Sequence, residues 1–176
     1  MPEKATIERA KEDLREGKAP STAAGEFVRE EVEHVRHGKH GVRSPQQAIA
    51  IGLSKARRAG IPLPPPKPGR TSESTRRKAE RDYERGTGRK AAPKKSARRS
   101  RAREEALKRE PRSTASHAAM SQQAKKAAKK RGSASRKAAA KKAVRTKGKA
   151  ELRSAAKKAA RTRQRRSGAK RGSGKK

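Results

Sequence analysis

Only fifteen of the 176 residues are Leu, Ile, Val or Phe, and twelve of those fall within the first 63 positions. Bulky apolar side chains supply most of the drive to fold, and a highly charged chain with fewer than roughly 20% of them is ordinarily disordered. The other apolar residues are mostly Ala, whose burial offsets little of the ~1 to 2 kcal/mol per residue that backbone ordering costs. The composition therefore excludes a 176-residue globule. It predicts a mostly disordered chain with a small all-α N-terminal module of two to three helices.

Charge runs the opposite way along the chain. The 53 Lys and Arg exceed the 17 Asp and Glu by 36. Residues 1–60 hold 12 cations and 9 anions, residues 61–88 hold 7 and 4, residues 89–112 hold 11 and 3, and residues 113–176 hold 23 and one. Cysteine is absent, which excludes disulfides, thiolate zinc sites and a catalytic thiol. No apolar run approaches the ~18 to 20 residues a membrane span needs, and Glu3 and Glu8 stand where a secretory leader would be apolar. The expected location is the cytoplasm.

Three N-terminal segments carry helical spacing. Ile7, Ala10 and Leu14 mark a helix over 6–16 that stops at Gly17. Ser21 or Thr22 is placed to cap the next, where Ala23, Ala24, Phe27, Val28, Val32 and Val35 form a stripe interrupted by Glu31 and ended by Gly38. In the third, Ser44 is the N-cap, Pro45 the first helical residue and Gln47 the capping-box partner; Ile49, Leu53 and Ala56 share a face, and Gly60 is the stop. A bundle of this size reaches only a few kcal/mol of stability. The organisation expected is a helical module over 1–61, a Pro-rich then basic linker over 62–112, and a disordered Lys/Ala/Arg-rich tail over 113–176.

The tail repeats at 16 residues: Ala124 to Gly132 recurs as Ala140 to Gly148 and as Ala156 to Gln164. No unit carries an apolar stripe, so the repeat multiplies charge and builds no core. Like charges at i, i+4, such as Lys125 with Lys129 and Lys141 with Arg145, each oppose a helix by a few tenths of a kcal/mol. The expectation is a coil that turns helical only on a polyanion, between Gly132, Gly148 and Gly168. The residues expected to neutralise DNA phosphates are Lys125, Lys126, Lys129, Lys130, Arg131, Lys141, Lys142, Arg145, Lys147, Lys157, Lys158, Arg161, Arg163, Arg165 and Arg166. Phe27 and Tyr83 are the only aromatics, which argues against base stacking on single strands or RNA.

Other constellations are weaker. His34, His37 and His40 recur every third residue, but no carboxylate is clearly placed beside them and Arg36 and Lys39 repel a metal, so neither metal nor cofactor is expected. Gly38 to Gly41 is too short for a P-loop, and Gly86 to Lys90 lacks the Arg-Pro of a minor-groove hook. The second and third helices offer a helix-turn-helix reading with Gln46 and Gln47 facing bases, but Gln47 is engaged in capping. Pro62, Pro65 and Lys67 fit both a stiff spacer and a proline-rich ligand. Ser100 and Ser113 follow arginines, where a phosphate would subtract charge. No nucleophile, base and acid stand at catalytic spacing, so no enzyme is expected.

The strings over 25–31 and 37–41, and above all Gln47-Ala48-Ile49-Ala50-Ile51-Gly52-Leu53-Ser54 running on to Gly60, resemble a family of small basic bacterial proteins of unknown function, across residues 1–90. The tail resembles those of bacterial histone-like proteins and eukaryotic linker histones in composition. The resemblance implies a bacterial, cytoplasmic setting and assigns no activity or binding residues, and the nucleoid within it follows from the DNA-binding reading. The function expected is DNA binding and condensation without sequence preference, with double-stranded DNA as partner, RNA as the second polyanion and no membrane. The alternative is an adaptor whose module takes a protein partner or self-associates while the tail anchors it to nucleic acid.

Overall fold

The computed structural model describes residues 2–91 and 96–172, with side chains as far as residue 164. Among the described residues there are seven α-helices and one 3-10 turn: α1 (Lys4–Arg15), α2 (Pro20–Arg36), α3 (Pro45–Arg58), α4 (Glu73–Gly86), α5 (Ala97–Arg109), the turn Ser113–Ala115, α6 (His117–Lys130) and α7 (Gly132–Gly172). The chain divides into two units, residues 1–124 and 125–176.

In the first unit α1 and α3 both pack on α2, and α4 packs on α3. Helix α2 opens on Pro20 with Ala19 at the N-cap and no side-chain cap; Ser21 and Thr22 lie inside its first turn, and the fixed proline φ does the initiating instead. Ser44 caps α3 as expected: its Oγ accepts from the Gln47 N–H at 3.2 Å, while Gln47 Oε1 accepts from the Arg43 N–H at 2.8 Å.

One apolar cluster joins Ala10, Ala23, Ala24, Phe27, Ala56 and Ile61, flanked by Ile7, Leu14, Leu53 and Leu63. The second joins Val32, Val35, Val42, Ala48 and Ala115, flanked by Ile51 and Met120. The inner face of α3 is thus Ala48, Gly52 and Ala56 at i, i+4, i+8, all buried, while Ile49 is only half-buried. Small side chains let two helix backbones approach closely. A Cβ built on Gly52 would lie 2.6 Å from Val28 Cα, well inside the contact distance of two carbons.

Helix α4 is held by Ala79 in the interior, by the Ser54 hydroxyl donating to Asp82 at 2.5 Å, and by Gly86 lying against the Arg57 carbonyl. The last turn of α5 and the segment after it cover the turn between α2 and α3. The Gly41 N–H donates to Leu107 O at 2.8 Å, the Thr114 hydroxyl to Val42 O at 2.7 Å, and Arg36 Nε to Ala115 O at 2.8 Å.

These elements overturn the expectation of a mostly disordered chain with two to three helices and a tail helical only on a polyanion. Helices α4 and α5 lie in the stretch read as linker, and α6 and α7 in the stretch read as disordered tail. Two physical reasons account for the difference. Counting bulky apolar residues misses a core assembled from Ala and Gly, where close backbone approach replaces side-chain volume. In the tail, the intrinsic helix preference of Ala, Lys and Arg outweighs like-charge pairs worth only a few tenths of a kcal/mol each. Of the three expected tail boundaries, Gly132 begins α7, Gly148 interrupts it with φ 74° and ψ 160°, and Gly168 lies within it.

Two glycine substitutions should move stability in opposite directions. Gly52→Ala forces a methyl into the backbone of α2 and is expected to cost about 1 to 3 kcal/mol, as overpacking does. Gly25→Ala, on α2 with nothing within 4 Å of the added carbon, should gain about 0.5 to 1 kcal/mol from helix propensity. Thermal melts of the two variants check both signs.

Candidate nucleic-acid interface

The tail cations are displayed on helices. Lys125, Lys126, Lys129 and Lys130 stand on α6, and Arg131 follows it. Lys141, Lys142, Arg145 and Lys147 precede Gly148 on α7, while Lys157, Lys158, Arg161 and Arg163 follow it. All thirteen are exposed. The side chains of Arg165 and Arg166 lie outside the described residues.

At about 100° per residue, Lys149, Arg153, Lys157 and Arg161 form a stripe of i, i+4 neighbours about 18 Å long. Lys137, Lys141 and Arg145 form a second before Gly148. Small residues, Ala139 and Ala143 in one segment and Ala155 and Ala159 in the other, occupy the opposite side. Lys137, Lys149 and Arg153 were not among the expected contacts, because matching the nine-residue repeat passes over cations outside it; i+4 spacing was the signal that finds them. On α5, Arg98, Arg99, Arg101 and Arg103 are exposed as well.

Electrostatics separates the two units more sharply than burial does. In residues 1–124 ion pairs neutralise many cations, for example Arg9 with Glu26 at 2.8 Å, Lys90 with Glu84 at 2.6 Å and Lys108 with Glu104 at 2.9 Å. At the start of α4, Arg76 and then Arg77 hold the Glu73 carboxyl at about 2. From Lys125 onward, among the described residues, no carboxylate pairs with any cation, and Glu151 is the one acid in that stretch. The tail presents its charge outward without internal relief.

The two glutamines of the helix-turn-helix reading are both engaged within the first unit. Gln46 Nε2 donates to Gln123 Oε1 at 2.7 Å, and Gln47 caps α3. Phe27 and Val32 are buried core positions. No helix among the described residues is long and apolar enough to cross a membrane.

A second cluster of charge is buried between α2 and α3. Glu31 is fully buried and Glu30 is 4% exposed. The Lys55 ammonium lies 2.7 Å from Glu31 Oε2 and 3.3 Å from Glu30 Oε1. Burial would raise the Glu30 carboxyl, but the Glu3 N–H, the Thr6 hydroxyl and Lys55 together hold it below its ordinary value. Glu3 closes the outer side: its Oε1 is 3.0 Å from His34 Nε2 and 3.0 Å from Lys39 Nζ, and these partners, His34 foremost, bring its carboxyl down to about 2. His40 reaches back from the turn, its Nε2 3.3 Å from Glu31 Oε1. The signal for this cluster was the one carboxylate interrupting the apolar stripe of the second helix.

The fold and its charge define a small helical protein with a polycationic terminal unit. Over residues 17–67 the chain matches a family of unknown function, DUF6496. That stretch contains α2, α3 and the buried Glu30, Glu31 and Lys55, and it ends before the tail. No curated protein and no solved structure matches the chain.

Two measurements test the buried cluster. Lys55→Met strands two buried carboxylates and should cost about 3 to 5 kcal/mol, the usual penalty for breaking one side of a buried pair; denaturant unfolding reads it. The Glu3 contribution to stability is fully present above the ordinary carboxyl value of 4.5 and is lost as pH falls toward about 2. Between those values wild type should lose thermal stability more steeply than Glu3→Gln.

Proposed function

We propose that the protein binds duplex DNA without sequence preference and draws duplexes together, as a nucleoid-associated, linker-histone-like protein with no enzymatic step of its own. The observation that carries this reading is the set of exposed Lys and Arg from Lys125 onward, displayed on helices and unpaired by any acid among the described residues. Duplex DNA carries one negative charge per ~1.7 Å, and each neutralised phosphate releases counterion. Nothing in that exchange reads a base edge; it is indifferent to sequence.

The helical tail alters the mechanism expected from sequence. A coil would have to order itself on the phosphates, whereas α6 and α7 already hold their cations at ~6 Å intervals along each i, i+4 row. Two such rows on either side of Gly148 offer separate surfaces for phosphate, which supports bridging as well as binding.

If about ten cations engage, log affinity should fall with log salt at a slope near −9, roughly five decades between 50 and 200 mM. Replacing Lys149, Arg153, Lys157 and Arg161 together by Gln should make the slope shallower by about 3 to 4. Fluorescence-anisotropy titrations with unrelated duplexes and an RNA competitor at several salt concentrations check this. An unchanged slope in the fourfold variant, or selectivity for one short duplex, overturns the reading. So does compaction that survives deletion of residues 125–176, which points instead to the N-terminal unit and the adaptor reading.

A further inference from the structure

The chemistry of Glu31 is not exhausted by its pairing with Lys55. Both of its oxygens are buried and neither accepts a hydrogen bond, a costly state for a carboxylate removed from water. Lys55 accounts for charge on the Oε2 side. On the Oε1 side stands the His40 imidazole, 3.3 Å away through Nε2, with His34 close by. One ligand atom each from Glu31, His34 and His40 all lie within 4.8 Å of one another.

We infer that Glu31, His34 and His40 form a binding site for a zinc-class divalent transition metal that fastens the turn after α2 to the helix itself. Glu31 and His34 are three residues apart on α2, a spacing that puts both on one helix face. His40 arrives from the turn. The 3.3 Å between His40 Nε2 and Glu31 Oε1 is a poor hydrogen bond, but it is the edge of a tetrahedron whose ligands lie ~2.0 to 2.1 Å from a central zinc.

The surroundings are those of a metal site. Ligating histidines generally give their other ring nitrogen to a carboxylate or a backbone carbonyl. His34 Nε2 is 3.0 Å from Glu3 Oε1, which leaves Nδ1 for an ion, and His40 Nδ1 is 3.0 Å from the Gly41 carbonyl, which leaves Nε2. Lys55 holds the non-ligating oxygen of Glu31 in the same supporting role. Glu30 Oε1, 4.0 Å from His34 Nδ1, or a water completes four-coordination.

Charge points the same way. Glu3, Glu30 and Glu31 face Lys39 and Lys55, an excess of one carboxylate inside a strongly basic protein. The repulsion expected from Arg36 is absent, since its guanidinium turns away to the Ala115 carbonyl, and Lys39 is paired with Glu3. Imidazole with carboxylate suits zinc, cobalt or nickel rather than magnesium or calcium. His37, between the two ligands in sequence, is exposed and outside the cluster.

The test is titration of the full-length protein with Co²⁺, followed by displacement with Zn²⁺. The expected result is one equivalent of cobalt with the intense visible bands of a tetrahedral centre, displaced by zinc, and a melting temperature that rises with free zinc as mass action requires. His34→Gln and His40→Gln should each weaken zinc binding at least about 10-fold, whereas His37→Gln should bind as wild type does. Helical circular dichroism of each metal-free variant separates lost ligation from lost fold, and the wild-type cobalt spectrum stands independently of any variant. No saturable uptake by wild type, or uptake unaltered by both His34→Gln and His40→Gln, overturns the assignment. DNA binding is not needed for any of these readouts.

Discussion

The first unit depends on how closely α3 can approach α2. Because residue 52 has no side chain, its backbone lies directly on Val28, and Ala48 and Ala56 extend the same flat face by a turn in each direction. Only at that separation does Lys55, three residues beyond Gly52, bring its ammonium between Glu30 and Glu31. The apolar and ionic parts of the interior are therefore one arrangement. Dispersion between closely packed backbones supplies attraction that a chain poor in Leu and Ile cannot obtain from side-chain volume. The buried ion cluster fixes the register, since a shift of either helix by one residue would carry Lys55 away from its two partners.

From that seam the rest of the unit follows in order. Helix α2 carries Phe27 into one apolar cluster and Val32 and Val35 into the other. Its C-terminal end is bound by the last turn of α5 and the segment after it, which supply Ala115 to the second cluster and the Leu107 and Pro111 carbonyls to Gly41 and Val42. His40 is held in that same turn. The contacts that bury Val42 thus also determine where His40 points, so the packing of a distant segment sets the geometry around Glu31.

Local features were legible in the sequence to the extent that they were local. Ser44, Pro45 and Gln47 define the start of α3 by capping chemistry that acts within four residues; the Ser44 hydroxyl makes its expected bond, while the Gln47 side chain accepts one residue further back, from the Arg43 N–H. The start of α2 was displaced because proline initiation at Pro20 and hydroxyl capping at Ser21 give similar signals one residue apart. The inner face of α3 was legible in part: Ala56 is buried and Leu53 packs on the first cluster as the spacing implied, but Ala48 and Gly52 stand where Ile49 was expected. Hydrophobicity favours Ile49, whereas close approach selects Ala48 and Gly52, and a hydropathy pattern does not reveal which requirement prevails. Contacts made by Ala115 and Met120 with the second cluster span 67 residues or more and leave no periodic trace. Of the buried ionic cluster, Glu31 was visible as an interruption in an apolar stripe, but its partners come from three other parts of the chain.

The two units solve opposite electrostatic problems with the same residue types. In the first, acids at i+3 and i+4 and across helices neutralise Arg and Lys, so charge helps specify which surfaces meet. In the second, Lys and Arg recur at i+4 with Ala between them, and helix propensity must hold against repulsion that no ion pair among the described residues relieves. Any bound polyanion removes that repulsion, so such a helix is more stable bound than free even when its conformation does not change. On the proposed reading, this links the tail's stability to its function: the screening that strengthens the free helix in salt also weakens its hold on phosphate. Gly148 divides the resulting rows into two segments. In each segment a row of i, i+4 cations runs opposite alanines, although Arg136 and Lys147 also lie toward the alanine side of the first, so the repeat has structural consequences after all, as two cationic rows along one stretch of chain.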